Sequence, residues 1–276
     1  VFPIDERAII PMWTLVVMYS TVGAVAGVLA GLLGIGGGLV IVPMLVFCFG
    51  LQSIADEHTM HLALGTSMAS IVFTAFSSAS AHHRRKAVDW TVVRRMTAGL
   101  LLGTFAGSCV VALLSTRLLK GFFVVFLLYV ATQMILGHKP KPSRTLPGSL
   151  GMFGAGGFIG VISSWVGIGG GTLSVPFMVW HNVPLKTAIG TSAALGFPIA
   201  VAGAVGYVYN GSGIEGRPDW SIGFVYLPAL AGIVLVSVLT APLGVRLAHA
   251  LPVDKLKKVF AVLLYVVAIR MLFSLF

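Results

Sequence analysis

Apolar residues fill this chain in long runs, parted by short polar loops. The runs lie near 13–33, 39–53, 60–82, 92–114 and 118–137, then near 149–166, 172–181, 187–208, 220–242 and 256–275. A run of roughly 20 apolar residues predicts a membrane-spanning α-helix. The second run of each set is short and begins close to Pro43 or Pro176. Proline is tolerated in a first helical turn, where its missing N–H would have no partner. The preceding Val42 and Val175 are pushed toward an extended conformation. Ahead of each short run stands a glycine cluster, GIGGG at 34–38 and again at 167–171. Each glycine costs about 1 kcal/mol in a helix interior relative to alanine. The pattern thus predicts, twice, a long helix, a glycine break, a few extended residues and a short helix.

The recurrence extends beyond the glycines. GIGGGLVIVP at 34–43 matches GIGGGTLSVP at 167–176, and Gly65-Thr66-Ser67 matches Gly190-Thr191-Ser192. Trp90 matches Trp220, each opening an apolar run, and Leu127–Val130 matches Leu263–Val266. Order is preserved and the offsets drift little, as expected of one unit of about 130 residues duplicated and fused. The expected organisation is a first membrane repeat at 1–137, a cytoplasmic linker at 138–148 and a second membrane repeat at 149–276.

Composition excludes a soluble protein. Mean hydropathy is +1.00, with 57% apolar and 9% charged residues, against about 25% charged in a soluble domain. The net charge of +10 would suggest nucleic acid on a soluble chain. Here the basic residues sit in loops between apolar runs, the pattern of the positive-inside rule, and no nucleic-acid partner is expected. With ten crossings and an outer N-terminus, 13 of the 18 basic residues fall on the cytoplasmic side. With re-entrant short segments and eight crossings the split is 11 to 7, and the Arg246–Lys258 cluster falls outside. The rule prefers ten. Five crossings per unit make the halves inverted repeats, an arrangement common in secondary transporters. The expected fold class is an all-α polytopic membrane protein of two inverted five-segment repeats, with glycine-broken helices at the repeat interface.

Two readings stand for the glycine clusters. Successive N–H groups beside a helix N-terminus form a cradle for negative charge. Glycines also let membrane helices touch. Recurrence at equivalent positions, each followed by proline, favours a binding site at Gly34, Gly36, Gly37, Gly38 and Gly167, Gly169, Gly170, Gly171. Thr66, Ser67, Thr191 and Ser192 offer hydroxyl donors to an oxyanion without a buried counter-charge. Their alternative is bonding back to their own helix carbonyls. His61 lies four residues before Gly65, on the same helical face, and is the candidate for proton coupling. A place at the membrane boundary is the plainer reading of it. Gly99, Gly103 and Gly107, spaced by four, predict a helix-packing stripe. Trp90 and Trp220 predict interface anchors.

Several chemistries are missing. All eight acidic residues fall in predicted loops or termini, so no mid-membrane carboxylate is available to carry protons or sodium. Cys48 and Cys109 lie in apolar runs without metal or disulfide spacing. There is no Walker motif, no HExxH and no nucleophile elbow around Ser163-Ser164. No enzyme, metal or cofactor is expected.

In GLLGIGGGLVIVP, SWVGIGGGTLSVP, the ALGTS and AIGTS turns and the basic loop after the third segment, the chain resembles the sulfite exporter TauE/SafE family from about Gly23 to Phe276. The resemblance implies transport of small sulfur-containing anions such as sulfite, sulfonates, sulfoacetate or thiosulfate, with the glycine and GTS positions as the family's motif. It implies a multi-pass protein of the cell inner membrane whose partners are the lipid bilayer and a small anion; a homodimer is an open alternative. No Arg or Lys is placed to pair with a dianion, which favours a singly charged substrate. The rival expectations are a permease or channel for a neutral solute, and a membrane scaffold in which the glycines only pack helices.

Overall fold

The computed structural model describes residues 11–274 except 35, 53, 55, 137–144 and 251–252, with backbone alone for 56 and 253–257. The described residues form ten α-helices: α1 (Met12–Leu33), α2 (Gly38–Leu51), α3 (Thr59–Arg84), α4 (Trp90–Val111), α5 (Thr116–Leu136), α6 (Ser149–Val166), α7 (Gly171–Trp180), α8 (Leu185–Gly211), α9 (Leu227–Ala250) and α10 (Val253–Phe273). A 3-10 turn (Asp56–His58) precedes α3, and a two-stranded hairpin, β1 (Ser221–Ile222) and β2 (Val225–Tyr226), precedes α9. Helices α1, α3, α5, α6, α8 and α9 are long and apolar enough to cross a membrane, and α2 and α7 are shorter. Most of the expected linker at 138–148, with Lys139, Lys141 and Arg144, lies outside the described residues; 145–148 are non-helical. Residues 1–10 and 275–276, the outer ends of the two expected repeats, also lie outside them.

The apolar runs become helices close to their expected limits, with two corrections. No extended residues follow the glycine breaks: α2 and α7 start at Gly38 and Gly171, Val42 and Val175 are helical, and Pro43 and Pro176 lie in the second turn rather than the first, each leaving one carbonyl a turn earlier without its helical N–H. The run expected from 220 starts as a helix only at Leu227. Residues 221–226 turn back onto α8 as the hairpin: the Phe224 N–H donates to the Tyr207 carbonyl at 3.1 Å, and Phe224 is buried. Trp220, expected to open the helix, is exposed in the loop before β1 with φ +65°. Trp90 does open α4, its Nε1 donating to His83 Nδ1 at 3.1 Å.

Helices from one half pack mainly on helices of the other. α1 lies along α9 and α6 along α4; α3 crosses α8; α5 lies along α10. In lipid, where tails are as apolar as the side chains, such contacts depend on close backbone approach. The Gly99, Gly103, Gly107 stripe packs α4 on Phe153, Gly157 and Ser164 of α6. An equivalent stripe, Gly23, Gly27, Gly31, packs α1 on Ile233, Ser237 and Ala241 of α9. α3 and α8 are the most enclosed helices. Apolar side chains such as Val17, Leu102, Leu235 and Val262 face outward, as a lipid belt requires.

Candidate functional site

Each glycine cluster ends one helix and starts another. Gly34 caps α1 and Gly167 caps α6, both in the left-handed region (φ +67° and +69°) that closes helix C-termini. Three residues further on, α2 and α7 begin from Gly37 and Gly170. The two breaks then meet. A Cβ on Gly36 would stand 3.1 Å from the Gly169 Cα, and a Cβ on Gly38 would collide with the Gly167 carbonyl oxygen. Ile71 of α3 is wedged at the same point, its Cγ2 3.1 Å from that Gly36 position. The expected cradles are thus closed against each other here.

The serine hydroxyls of the two GTS turns fasten this crossing, and the threonines beside them tie the turns to other segments. Ser67 Oγ donates to the Gly167 carbonyl at 2.8 Å, and Ser192 Oγ donates to the Gly34 carbonyl at 2.9 Å. Thr66 Oγ1 accepts from the Tyr226 N–H at 2.9 Å, and Thr191 Oγ1 accepts from the Asp89 N–H at 2.9 Å. Every bond joins one half to the other, and exchange of halves relates them in pairs. The four side chains are fully buried. None bonds back to its own helix; that is done by Ser70 and Thr74, on the Thr66 and Ser70 carbonyls. Asp89, besides meeting Thr191, caps α4 through its carboxylate.

Donors at the second break lack partners. Among the described residues, the N–H groups of Gly169 and Gly170 reach no backbone carbonyl. The buried hydroxyls of Ser163 and Thr172 and the indole N–H of Trp165 also have none. Buried donors seldom stay unpaired. Ser163 Oγ is 3.3 Å from where a Cβ on Gly170 would stand. Ser174, unremarked in the sequence, donates to Ser192 Oγ at 2.8 Å. Its signal was there: it is a serine where the first glycine phrase has Ile41.

His61 is placed elsewhere. Its Nε2 lies 3.2 Å from the Val111 carbonyl and its ring stacks on Phe224 at 5.0 Å. It lines a cavity of about 670 Å³ at one end of the bundle, with Glu57, His58, Arg117 and Lys120. None of the site glycines or GTS residues lines that cavity. At the opposite end, Arg85 and Lys186 flank His249, whose ring is 5.7 Å from His82. Among the described side chains, no cluster of His, Cys, Asp and Glu suits a metal ion. Among the described residues, no acidic residue lies inside a helix that qualifies as a membrane span.

A "Probable membrane transporter protein" of Haemophilus influenzae is 39% identical over 262 residues, covering 94% of this chain and 99% of its own. "Probable membrane transporter protein YunE" of Bacillus subtilis is 28% identical over 77% of this chain and 83% of its own. "Probable membrane transporter protein MJ0441" of Methanocaldococcus jannaschii is 28% identical over 91% and 93%. No solved structure matches. The signature of the sulfite exporter TauE/SafE family matches residues 19–271, and the chain belongs to that family of membrane transporters.

Proposed function

We propose that this transporter exports a small, singly charged sulfur-containing anion, sulfite in its hydrogensulfite form or a singly charged organosulfonate, across the cell inner membrane. The observation that carries the reading is the fastened crossing. Two glycine breaks meet, the Ser67 and Ser192 hydroxyls bond their carbonyls across the halves, and the Gly169 and Gly170 N–H groups and the Thr172 hydroxyl stand unpaired among the described residues. In this arrangement the site is closed. Parting the halves would free the Ser67 and Ser192 hydroxyls and open the Gly169 and Gly170 N–H groups to an oxyanion. The backbone and hydroxyl groups would bind it without a buried counter-charge.

The reciprocal bonds support an inverted pair of five-segment repeats. The grouping of Arg85, Lys186 and His249 at one end supports ten crossings with that end cytoplasmic. An inside-negative potential of about 100 mV favours exit of one negative charge by about 2.3 kcal/mol, roughly 50-fold. An exporter of a monoanion therefore needs no coupling carboxylate.

A scaffold in which the glycines only pack helices draws support from the Gly38–Gly167 contact. It leaves the unpaired Ser163, Trp165 and Thr172 groups without a purpose. Proteoliposomes with an imposed potential separate the readings, using sulfite, sulfoacetate, thiosulfate, sulfate and nitrate. The expected result is outward movement of a sulfur anion, faster with the inside negative, and a selective rise in thermal stability with the same anion. Strictly sodium-dependent transport indifferent to potential contradicts the proposal.

A further inference from the structure

The cavity around His61 is a second place where this chain has the chemistry to hold an anion. His61 is 4% exposed, and its Nδ1 is buried with no hydrogen-bond partner. The Val111 carbonyl can only accept, so Nε2 carries the proton and Nδ1 of the neutral ring is a bare lone pair. Protonation would turn Nδ1 into a donor and put a positive charge against Phe224 and the cavity. A neighbouring anion would stabilise that charge.

The groups facing His61 suit an anion. The turn before α3 gives Glu57 and His58, and the His58 ring is 6.3 Å from that of His61. The first turns of α5 give Arg117 and Lys120. The end of α4, the α8–β1 loop, the hairpin and the end of α10 give uncharged walls: Leu113, Ile214, Phe224 and Ser274. Among the described side chains, the lining thus carries two permanent cations, two imidazoles and one carboxylate. A space of about 670 Å³ is ample for an ion of a few atoms with its water.

We propose that this cavity binds a small monovalent oxyanion of the sulfonate class together with one proton, taken up on His61 Nδ1. The proposal rests on the anion-export reading, whose topology puts the cavity at the outer mouth. One proton bound with each anion makes affinity rise as pH falls, by at most about tenfold per pH unit. Release at the mouth is then favoured by a higher outer pH.

The test is calorimetric titration of the purified full chain with methanesulfonate, which stays singly charged throughout, at pH 6 and pH 8. Tighter binding at pH 6, by about threefold or more, is expected. His61→Gln, which keeps an N–H for Val111, should flatten the pH dependence. Arg117→Gln, at an exposed side chain, should weaken binding at both pH values. Equal wild-type affinity at the two pH values, or a pH dependence that survives His61→Gln, overturns the proposal. So does binding unchanged in both variants; if methanesulfonate counterflow then persists in proteoliposomes, the cavity proposal falls and the export reading stands. Absence of both binding and counterflow for every anion in the panel overturns the two together.

Discussion

Helices α3 and α8 have the same place in the two halves, yet they are built differently below the GTS turn. At the offset of 125 that sets Thr66 on Thr191, the residues Ser70, Thr74, Ser78 and His82 of α3 fall on Leu195, Ile199, Gly203 and Tyr207 of α8. α3 thus carries a buried polar group every fourth residue. Ser70 bonds back to the Thr66 carbonyl, and the other three reach into the α1–α9 side: Thr74 to Ser237 at 2.8 Å, Ser78 to the Ala30 carbonyl, His82 to the Gly31 carbonyl. α8 keeps only the last bond, from Tyr207 to the Ser164 carbonyl at 2.7 Å. At the crossing itself, Ile71 of α3 corresponds to Gly196 of α8. The clasp is common to both halves and holds the architecture. What differs, the Ile71 wedge and the polar stripe, gives the crossing its two unlike sides.

If Ile71 is the wedge that fills the closed crossing, Ile71→Ala should have the largest effect. A buried Ile→Ala change leaves a cavity and costs about 2–5 kcal/mol. Thermal unfolding in detergent reads the loss, and anion leak through proteoliposomes should rise. A loss below about 1 kcal/mol would remove Ile71 from the crossing.

The clasp should be unequal in strength. Ser67→Ala leaves the Gly167 carbonyl unpaired, whereas Ser192→Ala strips both the Gly34 carbonyl and the Ser174 hydroxyl of a partner. Each buried group left unpaired costs about 1–3 kcal/mol. Unfolding midpoints should therefore fall further for Ser192→Ala, and equal falls would deny the extra Ser174 contact. In the stripe, Thr74→Val should cost about 1 kcal/mol, and a double-mutant cycle with Ser237→Ala should show coupling. No coupling would mean the two hydroxyls act independently. The smallest effect belongs to Trp220→Ala, at an exposed loop position, within about 0.5 kcal/mol. A larger loss would place Trp220 in a packed interface.

Much of this layout is written in the chain. α6 occupies 149–166 as the hydropathy pattern places it, and both glycine breaks fall where the GIGGG phrases stand. The α9 start is not written there, because Trp220 and Ile222 read as membrane-facing while the positive φ of Gly223 folds them into a hairpin on α8. Nor is the clasp. Ser67 and Gly167 are 100 residues apart, and nothing in either motif names the other as its partner. The helical-face argument for His61 fails for a physical reason: every residue from Thr59 to Ile71 is buried, so the face marks nothing. The stripe at 66, 70, 74, 78 and 82 was readable from its spacing of four, and the repeat hid it, because α8 does not share it.

A disulfide can ask whether the crossing must part for transport. A Cβ on Gly196 would lie 3.5 Å from the Ala75 Cβ, beside the Gly169 carbonyl, within the range a disulfide bridges. Ala75→Cys with Gly196→Cys, in a chain whose Cys48 and Cys109 are replaced by alanine, would tie α3 to α8 at the crossing. Sulfite counterflow in proteoliposomes should stop when the pair is oxidised and return on reduction. Full counterflow through the completely oxidised protein would contradict a transport site that opens between the two glycine breaks.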